Sequence, residues 1–240
     1  MQSLTPPVVP NVLLKTRAYR YRAVRNGWKH IHLNKQDDKR CPSNVRIITW
    51  NISFDAVGPM QRLDAALHHI RVDVLRCRKG ETPEPCCILL QELRTEAFPR
   101  LLEDPWVRDH FVVAPISRDK WPADAPYGNV TLVSRSVPIV DCAVVHFGSS
   151  VYQRTAIVVD IRLRDPSYEP DGESSPTCVL RIINTHLESM PKGILARRNQ
   201  LQLLSKMLFI GGKWRGGIIA GDMNAIGPNE HEYPDRKSVV

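Results

Sequence analysis

The sequence predicts an α/β domain in which mixed β-sheets carry helices on their outer faces. Three observations carry that reading. The patterned part of the chain begins as strand, helix, strand, helix. It continues as a run of four or five strands. It closes on a helix followed by a strand. Alternation brings helical crossovers and parallel pairs, whereas consecutive strands pair antiparallel, so the sheets should be mixed.

The elements follow in order. "VRIITWNI", from Val45, is apolar and β-rich. "MQRLDAALHHIRVDVLRC" spaces Leu63, Ala66, Leu67, Ile70 and Val74 along one helical face. "CCILLQEL" is a buried strand. "TEAFPRLLEDPWVRDHF" is helix-like but interrupted by Pro99 and Pro105. "HFVVAPI", "GNVTLVSR", "PIVDCAVVHF", "TAIVVDIRLR" and "CVLRIINTHL" are strands in quick succession. "DPSYEPDGESSPT", between the last two, is a polar, Pro-rich surface loop. "ILARRNQLQLLSKMLFI" is the strongest helix, and "GGIIAGD" is the final strand. No internal repeat is visible, and residues 45–240 read as one domain.

Composition narrows the classes. The chain has 240 residues, 42% of them apolar, as a soluble globular protein has. No apolar run approaches the ~18 residues of a membrane-spanning helix, so no membrane partner is expected. The first residues are Pro-rich and then basic, without the apolar core of a secretion signal. The expected location is the nucleus or cytoplasm, not outside the cell. Six cysteines lack the Cys-x-x-Cys spacing of zinc or redox motifs and are expected as free thiols. Net charge is +8, and nine Lys or Arg against two Asp fall in residues 1–44. That segment, with Tyr19, Tyr21 and Trp28 among its cations, reads as a flexible basic arm able to meet phosphates and bases.

Four strands end on polar side chains of one chemical kind: Asn51, then Glu92, then His186, then Asp222 followed by Asn224. Each residue alone has an ordinary explanation as a loop cap, a helix start, a core histidine or a turn. Four such endings together point to a catalytic rim. Glu92 and Asp222 are hard oxygen ligands suited to Mg²⁺. His186 can donate to a developing phosphoryl charge. Asn51 and Asn224 orient groups without adding charge. Residues two apart on a strand share a side, which predicts one pocket for Asp222 and Asn224 and the core for Met223.

"ITWNI", "LLQEL", "INTHLES" and "IIAGDMN", in that order, resemble the endonuclease/exonuclease/phosphatase superfamily. Within it, "THLES", the following "ARRNQLQLL" and "YGNVTLVSR" resemble the branch of tyrosyl-DNA phosphodiesterase 2 and its fungal relatives, over about Val45 to Asn224. The resemblance implies a four-layer α-β-β-α sandwich of two mixed sheets. It also implies a Mg²⁺-dependent phosphodiesterase, with Mn²⁺ as the substitute ion, acting at a DNA 5′ end in repair. Carried over, Glu92 is the main metal ligand with Asn51 beside it, Asp222 aims the attacking water, Asn224 holds the scissile phosphate and His186 stabilises the transition state. Tyr127 and Arg154 are substrate contacts. The protein is expected to act as a monomer on DNA or another nucleic acid.

The sequence departs from that pattern near its end. The superfamily closes on a Ser-Asp-His element, whereas this chain runs "EHEYPDRKSVV", and Ala225-Ile226-Gly227-Pro228 stands where an Arg-bearing turn is usual. The last strands of the second sheet, and the final catalytic His, are therefore expected to be missing, and with them the turnover of this chain. Other readings stay open: an abasic-site endonuclease, a deadenylase, a phospholipid or inositol phosphatase, or an inactive nucleic-acid-binding module.

Overall fold

A computed structural model of the chain describes residues 9–33, 41–165, 176–209 and 214–225. Strands β1 (Leu14–Lys15), β2 (Tyr19–Arg22), β3 (Gly27–His30) and β4 (Arg46–Asn51) come first. Helix α1 (Pro59–His69) runs on through a π-helical turn at Ile70–Val74. Then come β5 (Cys86–Arg94), α2 (Phe98–Glu103), α3 (Pro105–His110), β6 (Phe111–Ala114), β7 (Tyr127–Ser134), β8 (Ile139–His146), β9 (Thr155–Arg164) and β10 (Thr177–His186). Helix α4 (Ile194–Met207) and β11 (Trp214–Asp222) complete the order.

These strands form two mixed sheets. One has six strands in the order β3-β2-β6-β7-β5-β4, the other five in the order β1-β8-β9-β10-β11. The parallel pairs are β4–β5 and β10–β11, and each is joined through a helix, α1 or α4, as a parallel crossover requires.

Strand alternation builds three apolar seams and hence four layers. Along β5, Cys86, Ile88 and Leu90 meet α1, α2 and α3. Cys87 and Leu89 point the other way, against Val144, Ile157, Val159 and Ile182 of the second sheet. On that sheet's outer face, Val145, Val158, Ile183 and Ile219 pack against Leu204 and Met207 of α4. The α-β-β-α sandwich is therefore the fold. Pro105 splits the expected interrupted helix in two: Asp104 turns extended, at φ −60° and ψ 124°, and its carboxylate accepts the Val107 N–H at 2.9 Å to start α3.

One expectation is corrected. Residues 1–44 do not form a flexible arm ahead of the domain, because part of the segment is built into both sheets. Leu14 and Lys15 pair with β8, β2 pairs with β6, and β3 pairs with β2. Ala18 is buried in the seam between the sheets, and Trp28 packs against the helix-side core. The strands are four residues long, too short for a sustained period. The signal was the Asn26-Gly27 dipeptide between Tyr21 and Trp28, a hairpin marker. Deleting residues 1–44 would thus remove three strands along with the cations. The domain start expected at Val45 is not a boundary. The expected loop at 166–175, the segment 34–40 and everything after Ala225, including His231, lie outside the described residues. Among the described residues β11 pairs on one side only, with β10.

Candidate active site

The seam between the sheets changes character along its length. At one end it is apolar. Midway it turns to amides: Gln91 on β5 donates through Nε2 to Asn184 Oδ1 on β10 at 2.8 Å. Asn184 in turn donates to the Val130 carbonyl at 3.0 Å and the Thr131 hydroxyl at 3.2 Å on β7. Both amides are buried and hydrogen-bonded, so they lock the two sheets in register rather than destabilise them. Beyond this layer, at the rim, sit Asn51, Glu92, His186 and Asp222.

β10 and β11 run parallel with His186 opposite Asp222. His186 Nε2 lies 3.6 Å from Asp222 Oδ2 and 3.6 Å from Glu92 Oε1. Asn51 Nδ2 donates to Asp222 Oδ2 at 2.7 Å, tying the ends of the two sheets together. Phe54 N–H donates to Glu92 Oε2 at 2.9 Å. The four strand-end residues named from the sequence therefore share one site.

Glu92 reaches it by a route that plain alternation would not give. Leu90 faces the helices, and a residue two further along an undisturbed strand would face them too. The β5–β7 register shifts between Leu90 and Leu93, and Glu92 sits at φ 55°. This bulge leaves Leu93 in the helix-side core and turns Glu92 toward the rim. Left-handed backbone at a non-glycine residue costs about 1–3 kcal/mol and tends to occur at functional sites.

Asn224 also departs from the expectation. β11 ends at Asp222, and Asn224 stands beyond it at φ 50°, so strand alternation does not place it. Its backbone N–H donates to Asp222 Oδ1 at 2.8 Å, and its side-chain Nδ2 donates to the Leu187 carbonyl at 2.8 Å. The amide nitrogen expected to hold phosphate is thus engaged with the backbone, and the residue fixes the Asp222 carboxylate. Met223 packs against the α4-side core, as expected.

Gly221 allows this approach of β11 to β10. Its φ is 143°, and a Cβ there would lie 1.8 Å from the Thr185 carbonyl oxygen. Gly221→Ala should destabilise the protein by more than about 1 kcal/mol, through strain that the backbone cannot relieve. Thermal unfolding should register a drop of at least roughly 2–4 °C.

Arg154 supplies the positive charge. It is buried, yet among the described residues it has no carboxylate partner. Nη1 donates to the Tyr127 hydroxyl at 2.8 Å and to His186 Nδ1 at 3.0 Å, and Nη2 donates to the Ser189 hydroxyl at 2.8 Å. Guanidinium only donates, so His186 Nδ1 must accept, which leaves the proton on Nε2, facing the carboxylates. Burial, then the Arg154 charge, push the His186 pKa down to about 4, partly offset by Asp222. At neutral pH the imidazole is neutral with Nε2–H as donor.

The sign of the linkage follows. An unfolded histidine titrates near 6.5 and this one near 4, so between those values the unfolded state holds more protons. Stability of the metal-free protein should therefore fall as pH drops from about 6.5 to about 4. Urea unfolding should show His186→Gln lacking this component, with the wild type's advantage over it shrinking as pH falls.

Sequence reasoning missed the residues that hold Arg154. Glu188 is buried, and its Oε2 accepts the Ser150 hydroxyl at 2.6 Å and the Val151 N–H at 2.9 Å, shaping the loop ahead of Arg154. On α4, Gln200 Oε1 accepts the Glu188 N–H at 2.8 Å, and Arg197 Nη1 donates to the carbonyls of Glu188 and Met190 at 3.1 and 3.0 Å. These contacts explain why "THLES" and the Arg-x-x-Gln spacing of α4 occur together. Ser150 gave no signal in the sequence.

Beside the rim lies a cleft of about 330 Å³, lined by Phe54, Tyr127, Tyr152, Arg154 and His186 among others. The Phe54 and Tyr127 rings lie 4.5 Å apart, tilted by 32°.

Comparison with solved structures decides the fold family. TDP2 (tyrosyl-DNA phosphodiesterase 2) of Caenorhabditis elegans superposes with a TM-score of 0.55 at 20% identity, over 76% of this chain and 48% of that one. A humanized D. rerio TDP2 gives 0.56 at 16% identity, over 78% of this chain and 64% of that one. The D. rerio protein complexed with a single-strand DNA product gives 0.54 at 16% identity, over 78% and 63%. The chain has the endonuclease/exonuclease/phosphatase fold. It spans about half to two thirds of the length of these enzymes of that fold. No protein-family model matches it, and neither does any curated protein.

The rim suits a hard divalent cation. Neither Glu92 nor Asp222 is paired with Lys or Arg among the described residues, yet both carboxylates face the same imidazole nitrogen. Among the described residues no group of three or more His, Cys, Asp or Glu side chains closes round an ion. That fits Mg²⁺, which keeps several waters and uses one or two carboxylates plus substrate phosphate, and does not fit structural zinc.

Proposed function

We propose that the chain is the catalytic part of a Mg²⁺-dependent phosphodiesterase acting at a nucleic-acid 5′ end, with a 5′-tyrosyl DNA linkage as the preferred substrate and DNA repair in the nucleus as its setting. The observation that carries this reading is the pairing of two cation-hungry carboxylates with a buried arginine that lacks an anion. A phosphodiester bridging them would satisfy both.

In this reading Glu92, through Oε1, and Asn51, through the remaining lone pair on Oδ1, would hold the metal. When bound, the ion would offset charge on the phosphoryl oxygens and orient the scissile group. Asp222, held by Asn51 and the Asn224 N–H, aims an attacking water and takes its proton. His186 donates Nε2–H to a non-bridging phosphoryl oxygen, and its hydrogen bond from Arg154 keeps that proton in place. Arg154 adds fixed positive charge beside the phosphate. The exposed Phe54–Tyr127 pair offers a stacking surface for a terminal base or a tyrosyl ring. The D. rerio neighbour's single-strand DNA product supports the choice of nucleic acid.

The test is a panel of substrates with Mg²⁺: a 5′-phosphotyrosyl oligonucleotide, an abasic duplex, a poly(A) strand and an inositol polyphosphate. Release of tyrosine well ahead of the other products is expected. Preference for any of the other three would reassign the leaving group while keeping the site.

A further inference from the structure

The hairpin that the sequence presented as an arm carries a second feature. β2 and β3 pair with Arg20 opposite Lys29 and Arg22 opposite Gly27. Arg20 is also opposite Val112 of β6, which belongs to the seam between the sheets. Directly opposed residues share a face, so Arg20, Arg22 and Lys29 lie on the face turned toward the second sheet. That sheet ends there in β1, only two residues long. The hairpin overhangs it, and Arg22 and Lys29 are exposed.

Arg135 joins the group from the turn after β7. Its Nη2 donates to the Tyr21 carbonyl at 2.9 Å and also to the Arg108 carbonyl. Arg108 stacks over the Tyr21 ring, 4.6 Å from its centre. Among the described residues none of Arg20, Arg22, Arg108 and Arg135 is paired with a carboxylate. Burial and the neighbouring arginines lower the pKa of both Arg20 and Arg135. Asp109 offsets part of this at Arg135.

Charge on an edge strand deters unwanted pairing, and that accounts for Lys29. It does not account for a half-buried Arg20 whose Nε has no hydrogen-bond partner, or for arginines gathered where each repels the next. Guanidinium groups in a strip fit a row of phosphates, which they bind in planar, charge-assisted pairs.

We propose that this overhanging ledge is a second nucleic-acid contact, taking the phosphate backbone of a strand that runs away from the rim. The proposal rests on the reading of the rim as a nucleic-acid phosphodiesterase site. The ledge stands five strand spacings from β4, roughly 24 Å, which is about seven base steps at ~3.4 Å each. Short oligonucleotides bound at the rim cannot reach it; longer ones do.

The test uses the exposed pair, Arg22→Gln with Lys29→Gln, so that folding is spared, checked by thermal unfolding. Binding of a 20-nucleotide and a 5-nucleotide strand is followed by fluorescence anisotropy across a KCl series in EDTA. Hydrolysis of bis(p-nitrophenyl) phosphate with Mg²⁺ is measured alongside. For the 20-mer, the slope of log K against log salt should weaken by roughly 1.5–2, as for two lost phosphate contacts. The 5-mer affinity and the small-diester turnover should not change. An unchanged 20-mer slope would overturn the ledge, as would equal weakening of the 5-mer or a wild-type preference for phosphatidylserine vesicles over DNA. Loss of the 20-mer slope in a protein that hydrolyses no diester would keep the ledge and reject the rim reading instead.

Discussion

Glu92→Gln should leave the fold intact and remove divalent-metal binding. The substitution keeps the size and the Phe54 N–H contact, since the amide oxygen can accept it at the position of Oε2. It removes the negative charge that faces His186 Nε2 at 3.6 Å. A site with one or two carboxylates loses much of its hold on Mg²⁺ when the principal one becomes neutral. Calorimetric titration with Mg²⁺ and Mn²⁺ should show affinity falling by ~100-fold or more. Hydrolysis should fall by at least ~10³-fold, since the metal supplies several kcal/mol of transition-state stabilisation. The melting temperature should change by no more than a few degrees, because the bulge that positions residue 92 is set by Leu90 and Leu93 on either side. Undiminished ion affinity in a folded variant would remove Glu92 from the metal site.

Asp222→Asn is the second large effect, and it separates chemistry from metal binding. Asp222 is not a turn former: it ends β11, faces His186 and accepts hydrogen bonds through both oxygens, from Asn51 and from the Asn224 backbone. An asparagine must turn its NH₂ toward one of those donors. The expected stability cost is therefore about 1 kcal/mol, where the sequence alone suggested almost none. Turnover should fall by ~10³-fold or more, because an amide neither aims water as strongly nor takes its proton. Metal affinity should fall far less than in Glu92→Gln. Calorimetry and initial rates, measured side by side, would show the contrast. Equal loss of metal affinity in both variants would make Asp222 a ligand of the same rank.

How much of this was legible in the sequence differs from residue to residue. Strand periodicity found every strand of the two sheets from β4 onward and placed His186 and Asp222 correctly, because both lie on undisturbed parallel neighbours. Glu92 was found for its chemistry, but the pattern carried no sign of the bulge, a backbone event that only the competing burial of Leu90 and Leu93 sets. Asn224 was named on strand alternation that stops two residues earlier. The β2–β3 hairpin was lost in its own charge, since Arg and Lys on one face hid the Tyr21 and Trp28 pair on the other. Glu188, Arg197 and Gln200 looked like motif decoration. Their work is done through backbone carbonyls and amides, which no residue pattern displays.

The most direct test of the central claim is release of tyrosine from a 5′-phosphotyrosyl oligonucleotide by wild type and Glu92→Gln, with Mg²⁺ and with EDTA. The rim as described predicts release by wild type with Mg²⁺ alone, abolished by EDTA and by the substitution. Release that persists in EDTA, or in a folded Glu92→Gln protein, would contradict it.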